Sequence, residues 1–372
     1  MNYGTTKPKE LVMNKVAIIG VGNMGQAIAW GMEALGYDLL LLDNNTQSLD
    51  KCKALLTTNR HEFKLFSADE IGGGRHQQSF LKMHVPNFNI LKNCDAVISA
   101  MTYSANILTA EVCANEKIPY FDLGGSTYYS KLINKYTASK NQTCFTDLGL
   151  APGWVNIIAE NLYNQYSINT GKAPETIKMM VGGLPQHPNN TLKYSCTWSA
   201  KGLVNEYSND CEILINRTKK TVKAMDGYEN LTSVRDIEQE LEAFYTSGGT
   251  SHSIDTMHDR GVKDCCYKTI RYKGHCKLAK FLVQESGLDQ KELIRAFEHS
   301  CPPSNDIVII KVQVDDLEFE QIIKCDQQFS AMQKATAFPT SSAVHTVLLN
   351  KEYKGVLKYN DLKYTQFNKH LN

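Results

Sequence analysis

Short apolar runs alternate with amphipathic stretches along the first third of the chain. Val16-Ala17-Ile18-Ile19 is unbroken until Gly20, and from Asn23 to Leu35 the apolar side chains recur at helical spacing, so strand, tight turn and helix follow one another. Leu39-Leu40-Leu41-Leu42 is a second apolar run and stops at Asp43. Further runs occur at Phe63 to Phe66, Asp95 to Ala100, Tyr120 to Leu123 and Cys144 to Leu148. Strands that alternate with helices are joined by crossovers, so the expectation is an α/β fold that begins with a doubly wound parallel sheet.

From about Ser126 the pattern changes. Lys178 to Gly182, Leu192 to Trp198, Glu212 to Asn216 and Thr221 to Ala224 have strand character, separated by turn signals such as Gly182-Gly183-Leu184-Pro185 and Asp226-Gly227. These predict an α+β second part with a mixed, mostly antiparallel open sheet. Helical patterns return at Ala279 to Glu285 and at Gln290 to Cys301, the latter with Asp289 placed as its N-cap.

A chain of 372 residues with 42% hydrophobic and 21% charged residues is long enough for two globular domains. Lys plus Arg total 40 against 39 for Asp plus Glu, and a formal net charge of +1 gathers neither nucleic acid nor an anionic membrane. A small molecule is the expected partner. The first ten residues, Met1 to Glu10, lack the apolar core of a signal peptide, and no stretch approaches about 18 apolar residues, so a cytoplasmic location is expected. The 11 cysteines are scattered without a Cys-x-x-Cys pair, which predicts reduced and mostly buried thiols. Asn-x-Thr triplets such as Asn141-Gln142-Thr143 carry no glycosylation meaning in that setting.

Gly20-Val21-Gly22-Asn23-Met24-Gly25 fills the turn after the first strand with G-x-G-x-x-G. The first glycine permits the bend, the second lets a pyrophosphate approach the backbone, and the third lets helix and strand pack closely. The phosphates would rest on the N–H groups at the helix start. Asp43 lies 18 residues beyond Gly25, at the end of the second run. Taken alone it would be a solvated turn residue; with the glycines it is the expected acceptor for both ribose hydroxyls. It would repel a 2′-phosphate, and Asn44 and Asn45 offer no cation to bind one, so NAD is favoured over NADP. Ligands of such Rossmann sheets bind outside the strands' carboxyl ends, so Ala100, Met101, Thr102 and Tyr103 should border the cofactor and Asp122 should point toward its reacting end. Asp122 could equally be a cap beside Gly124-Gly125. Gly72-Gly73-Gly74-Arg75-His76 has no strand before it and no Lys-Ser/Thr after it, and it is expected to be a flexible surface insertion.

Several longer strings are more specific: Gly149-Leu150-Ala151-Pro152-Gly153-Trp154-Val155-Asn156, Gly182 to Pro185, Trp198-Ser199, Glu242 to Gly249 and Tyr267 to His275. Together they resemble the saccharopine dehydrogenase family, most closely its lysine 6-dehydrogenase-like members, from the glycine turn to near Ala343. The resemblance implies a Rossmann domain made of residues 1–125 and 330–372 and a substrate and oligomerisation domain, 126–329, inserted between them. It also implies a homodimer or higher homo-oligomer paired through the open sheet. Ser330 to Ala337, Phe338-Pro339 and Ala343 to Leu349 fit a returning helix with a break at the proline. Lys273 stands where the family commonly has proline, His252 where small residues are usual, and the stretch from Ala68 to Phe88 is longer than expected. These departures bear on substrate more than on reaction type.

Oxidising an amine requires a cofactor face against the C–H bond, a neutral amine, and an imine that water hydrolyses. Asp122, Lys268 and His275 each qualify as the base, the first by location and the others by chemistry. Arg271 is the expected carboxylate anchor, since its planar fork makes two parallel hydrogen bonds. Tyr103, Trp198 and Tyr245 are expected to line the substrate pocket. No metal site is indicated, because His258, Cys265 and Cys266 lack zinc-ligand spacing. The expected activity is NAD-dependent oxidation of an amino acid at a carbon bearing nitrogen. A saccharopine or carboxynorspermidine dehydrogenase is the alternative enzyme, with Lys193, Lys201 or Lys273 as extra anchors, and a non-catalytic NAD-binding regulator the alternative of another class.

Overall fold

The computed structural model describes residues 14–66, 88–231 and 234–371. The N-terminal residues 1–10, the Gly72 to His76 run and nearly all of the stretch from Ala68 to Phe88 lie outside them.

Strands β1 (Lys15–Ile19), β2 (Asp38–Asp43), β3 (Glu62–Leu65), β4 (Ala96–Ser99), β5 (Tyr120–Asp122) and β6 (Cys144–Phe145) form one parallel sheet in the order β3-β2-β1-β4-β5-β6. Its central strands are unbroken apolar runs because both faces are covered. Val16 and Ile18 pack with Ala27, Ile28 and Met32 on one side, and Ala17 and Ile19 with Ala110 and Cys113 on the other. The order reverses between β1 and β4, which opens a crevice at their carboxyl ends. The first domain extends past the expected boundary at residue 125. Helix Thr127–Ser139 leads into β6, and the C-terminal segment bridges β6 through Cys144 and Val356.

The second sheet takes β7 (Thr176–Pro185), β8 (Cys211–Ile215), β9 (Thr218–Val222), β10 (Glu229–Leu231), β11 (Leu241–Tyr245), β12 (Asp264–Tyr272), β13 (Asp306–Val314) and β14 (Leu317–Lys324). Its order is β10-β11-β12-β7-β13-β14, with β8 pairing β12 and β9. Only β12 and β7 run parallel; the other pairs are antiparallel. Alternate residues face the first domain: Ile177, Met179, Val181, Val308, Ile310 and Val312 join the core shared with helix Trp154–Thr170 and helix Ala331–Leu349. Met180, Leu184, Ile270, Ile307 and Ile309 form a separate core on the other face.

Two expected elements differ. Leu192 to Trp198 is no strand, although Leu192, Tyr194 and Cys196 are buried alternately. Its backbone groups bond elsewhere: Tyr194 N–H to Asn190 Oδ1 at 3.1 Å, and Cys196 N–H to the Cys301 carbonyl at 2.9 Å. The returning helix does not break at Pro339 but continues from Ala331 to Leu349. Gly31 of helix Asn23–Ala34 lets it approach so closely that a Cβ there would meet Ser341 Oγ at 2.7 Å. That packing outweighs the hydrogen bond a proline removes. Among the described residues no helix is long and apolar enough to cross a membrane. All 11 cysteines are free, and nine of them are buried.

One network outside the crevice fixes how the chain enters β3. Glu33 accepts the N–H groups of Thr57 (2.9 Å) and Thr58 (2.8 Å) and pairs with His61 Nε2 at 2.9 Å. His61 Nδ1 accepts the Leu39 N–H at 3.2 Å, so the ring proton lies on Nε2, toward Glu33. Burial alone would raise the Glu33 carboxyl, but the bonds from His61, Thr58 and Thr57 outweigh it and hold it at about 2, against 4.5 for an ordinary glutamate. A depressed carboxylate contributes stability that is complete above its unfolded value and is lost as pH falls through the folded one. Glu33→Gln is therefore expected to cost about 2 kcal/mol at pH 7, and much less near pH 2, in urea melts.

Candidate active site

At the crevice Gly20 adopts φ +87°, a region open to glycine, and donates its N–H to the Leu42 carbonyl at 2.8 Å. A Cβ there would lie 3.1 Å from the Ala100 carbonyl and from Met101 Cγ, so these two residues form the opposite wall, with Thr102 exposed beyond them. A Cβ on Gly25 would collide with the Gly20 carbonyl, which is the close helix–strand contact the third glycine permits. Above Gly22 nothing lies within 4 Å. Gly22 caps the helix without a side-chain bond, Asn23 is exposed and Met24 half-buried, and the first turn carries no acid. Free N–H groups under open space suit a diphosphate. Asp43 Oδ2 accepts the Val21 N–H at 2.7 Å and Oδ1 the Asn45 N–H at 2.8 Å, which clamps the end of β2 to the glycine turn. Each oxygen keeps capacity for a second donor, as a ribose diol requires, and the exposed Asn44 follows it. The residues present fit a dinucleotide.

Asp122 does not point into this crevice. It is buried at the end of β5, where Oδ1 accepts the N–H groups of Gly124 (2.9 Å) and Asp147 (3.1 Å) and Oδ2 the Tyr120 hydroxyl (3.0 Å). The turn at Gly124, φ +72°, folds the chain's own N–H back onto the carboxylate. Burial, then the neighbouring Asp147 carboxylate, raises Asp122. Asp147 accepts the hydroxyls of Ser130 (2.7 Å) and Ser251 (2.6 Å), and its carbonyl accepts that of Tyr359 (2.8 Å). The pair braces the first sheet, the second domain and the C-terminal segment against one another. Asn156 adds a second brace: its amide reaches Ser253 Oγ at 2.9 Å and the Gly249 carbonyl at 3.2 Å, while Oδ1 accepts the Gly153 N–H at 2.8 Å. It thus ties the Gly149 to Asn156 string to the loop after β11.

The cluster expected around β12 is divided by the pleat of the strand. Residues three apart point to opposite faces, so Lys268 and Arg271 cannot share a site. Lys268 stands opposite Tyr245 in the register, 4.9 Å above its ring, and its Nζ bonds the Gly227 carbonyl at 2.6 Å and Glu229 at 2.9 Å. Both residues lie on the face away from the first domain, which removes Lys268 as base and Tyr245 as pocket wall. His275 is buried, with Nδ1 2.7 Å from the Leu192 carbonyl and Nε2 2.9 Å from the Tyr207 hydroxyl. Burial, then Arg271, lowers it to about 3, so it stays neutral and is no general base. Its bonds make it a positioning residue: Arg271 Nε donates to Tyr207 Oη at 2.8 Å, and that hydroxyl's own proton is directed at His275 Nε2.

Arg271 is buried, donates from Nη1 to the Ile270 carbonyl at 2.9 Å and lies 4.7 Å over the Tyr194 ring. Burial opposes its charge, but Tyr207, Tyr194 and Glu206 favour it and keep it protonated. Among the described residues no carboxylate pairs with it and Nη2 has no acceptor. Trp198 joins this group through Nε1 to Tyr194 Oη at 3.0 Å. Tyr103, beyond β4, closes the circuit. Its hydroxyl accepts the Asn205 amide at 2.9 Å across the domains, and its ring borders Gly125 and Tyr129. The structure thus unites Tyr103, Trp198 and Arg271 with Tyr194, Asn205, Glu206 and Tyr207, which sequence reasoning missed. The spacing of Ala200, Leu203, Val204 and Tyr207 was the available signal for the helix that carries the last three. Among the described residues no group of three or more His, Cys, Asp or Glu side chains could hold a metal ion.

These features define a two-domain protein with a dinucleotide crevice in one domain and a buried cation, Arg271, in the other. Residues 149–372, more than half the chain, match the saccharopine dehydrogenase C-terminal domain. The chain belongs to the saccharopine dehydrogenase family of oxidoreductases. It is 26% identical over 227 residues to the mitochondrial alpha-aminoadipic semialdehyde synthase of Rattus norvegicus, covering 58% of this chain and 23% of that protein. The Mus musculus protein of the same name is 25% identical over 227 residues, with the same coverage. The chain therefore spans less than a quarter of the length of these relatives. Apo saccharopine dehydrogenase (L-Glu forming) from Saccharomyces cerevisiae has the same fold, with a TM-score of 0.67 at 13% identity over 96% of both chains.

Proposed function

We propose that this protein is an NAD-dependent dehydrogenase that oxidises an amino acid at a carbon bearing nitrogen, with lysine as the leading substrate and an ε-semialdehyde as first product. The observation that carries the reading is Arg271, a buried guanidinium without a carboxylate partner, one helix away from the crevice wall at Tyr103. A buried unpaired cation is costly, and a substrate carboxylate offsets that cost. Gly20, Gly22, Gly25 and the helix start would hold the diphosphate and Asp43 the ribose diol. The nicotinamide, when bound, supplies the hydride acceptor. The protein's part is to hold the substrate by Arg271, exclude water behind the Tyr103–Asn205 contact and keep the amine neutral. The imine formed takes up water and releases ammonia. The same reading places the protein in the cytoplasm and pairs two copies through the open face of the second sheet.

NAD reduction followed with lysine, saccharopine, ornithine and carboxynorspermidine tests the substrate. Response to lysine alone supports the reading; response to saccharopine alone replaces it with a saccharopine dehydrogenase, the activity named for the yeast neighbour; no response to any amine returns the protein to a non-catalytic NAD-binding role. Cofactor choice is tested separately. Asp43→Ala is expected to weaken NAD binding roughly tenfold or more, about 1.4 kcal/mol, while NADP binding changes little; equal losses would remove the basis for NAD.

A further inference from the structure

Asp122 and Asp147 stand on either side of Gly124. Asp122 Oδ1 accepts the Gly124 N–H at 2.9 Å and the Asp147 N–H at 3.1 Å, and a Cβ on Gly124 would collide with Asp147 Oδ1. Both carboxylates are buried, and among the described residues no cation faces either of them. The other titratable groups packed around the pair are Tyr120 on β5, Cys144 on β6, Cys113 in helix Asn106–Glu116 and Tyr359 in the C-terminal segment, and burial raises all four, so they keep their protons. His252, whose ring stacks on Tyr359 at 4.3 Å, is lowered to about 4 by burial and then by Lys358, and stays neutral. Two buried carboxylates that face each other and no cation hold one proton between them above the ordinary carboxylate range.

One hydroxyl reads where that proton is. Tyr120 Oη lies 3.0 Å from Asp122 Oδ2 and 3.5 Å from the Asn106 carbonyl. While Asp122 is ionised, Tyr120 donates to it. When Oδ2 carries the proton, it donates to Tyr120 Oη, and the Tyr120 hydroxyl turns its own proton to the Asn106 carbonyl. Asn106 is buried at the start of helix Asn106–Glu116, and its Oδ1 accepts the Ser99 hydroxyl at 2.8 Å. Its N–H and that of Ala105 bond the carbonyls of Tyr103 (3.4 Å) and Thr102 (2.9 Å), which belong to the crevice wall.

We propose that Asp122 is a positioning residue for the dinucleotide, acting through Tyr120 and Asn106, and that the proton it shares with Asp147 sets how firmly the wall from Ala100 to Tyr103 is held. The proposal rests on the dinucleotide reading of the crevice and adds a proton-linked control of affinity to it. With the proton bound, the Asn106 carbonyl has its hydroxyl donor, and the wall is fixed before a nucleotide arrives. With the proton lost, Tyr120 turns to Asp122, two like charges face each other across Gly124, and the wall loosens. Nucleotide affinity therefore falls as pH rises through the range in which the pair titrates. Stability has the same sign. A carboxyl whose folded value lies above its unfolded one contributes stability that is complete below the unfolded value and is lost as pH rises through the folded one.

The test is NAD titration of the whole chain from about pH 5 to about pH 9. The wild-type protein is expected to lose about three- to tenfold in NAD affinity across that range, the worth of a single hydrogen bond. Asp122→Asn imitates the protonated acid, since its amide donates to Tyr120 Oη, and is expected to bind at the tight level without pH dependence. Tyr120→Phe removes the carrier and is expected to bind at the weak level, again without pH dependence. A purely structural role would shift the level in both variants and leave the slope in place. A wild-type affinity independent of pH, or an Asp122→Asn protein that keeps the wild-type slope, overturns the proposal. Hydrogen exchange of the Ala100 to Asn106 amides, compared between the proteins at the same pH, reads the wall without a nucleotide. Asp122→Asn is expected to exchange at the wild-type rate at the acid end and about threefold or more slowly at the alkaline end. That difference in a protein that binds no NAD at any pH removes the dinucleotide reading and keeps the proton link to the wall; equal exchange at both ends overturns the link whatever the nucleotide does.

Discussion

Gly22→Ala is expected to leave the melting temperature unchanged and to weaken dinucleotide binding by roughly ten- to a hundred-fold, about 1.4 to 3 kcal/mol. Nothing in the protein lies within 4 Å of the added methyl, so only a ligand resting on that turn can feel it. Gly25→Ala is expected to behave oppositely. Its methyl would collide with the Gly20 carbonyl, a backbone atom that cannot swing aside, and such overpacking costs about 1 to 3 kcal/mol of stability. Both variants lose nucleotide, but only the second loses stability. Thermal melts and equilibrium nucleotide titration of the two proteins separate the outcomes, and a destabilised Gly22→Ala would show that the open space is not a ligand's.

The second large effect concerns Arg271. Arg271→Met is expected to lower kcat/KM for the amine substrate by two to three powers of ten, about 3 to 4 kcal/mol, without lowering stability. The guanidinium is buried and, among the described residues, forms no direct ion pair, so an apolar side chain of similar length removes a desolvated charge. A protein that becomes no less stable as it becomes inactive is the signature of a group kept for its ligand. Arg271→Lys keeps the charge but loses the fork, and an intermediate loss is expected. A Met variant that melts well below the wild-type protein would instead mark Arg271 as part of the core.

The dinucleotide half was legible because its signals are local. An apolar run ending in glycine, a helix at the spacing that follows it and a carboxylate at the next strand end are each fixed by neighbours in sequence, and these elements fall where expected. The substrate half was not, because its chemistry depends on which face of a strand a residue occupies. Lys268, Arg271 and His275 are close in sequence, but Lys268 and Arg271 lie on opposite faces of β12 and His275 lies beyond its end, at the start of helix His275–Lys280. Asp122 was placed correctly at a strand end. Its orientation depends on Asp147 and Tyr120, partners brought in by packing rather than by a motif. Leu192 to Trp198 alternates like a strand and is none, since alternation records burial and not ladder bonds.

The central claim is that hydride leaves a nitrogen-bearing carbon of an amino acid for a nicotinamide held between the two domains. It is tested most directly by supplying the panel of amines deuterated at that carbon, with NAD, and locating the deuterium afterwards by NMR. The account predicts deuterium on the reduced nicotinamide ring when the label is on the distal carbon of lysine. Reduced nucleotide without the label, or a protein that binds the labelled amine and NAD yet leaves the deuterium in place, would contradict it.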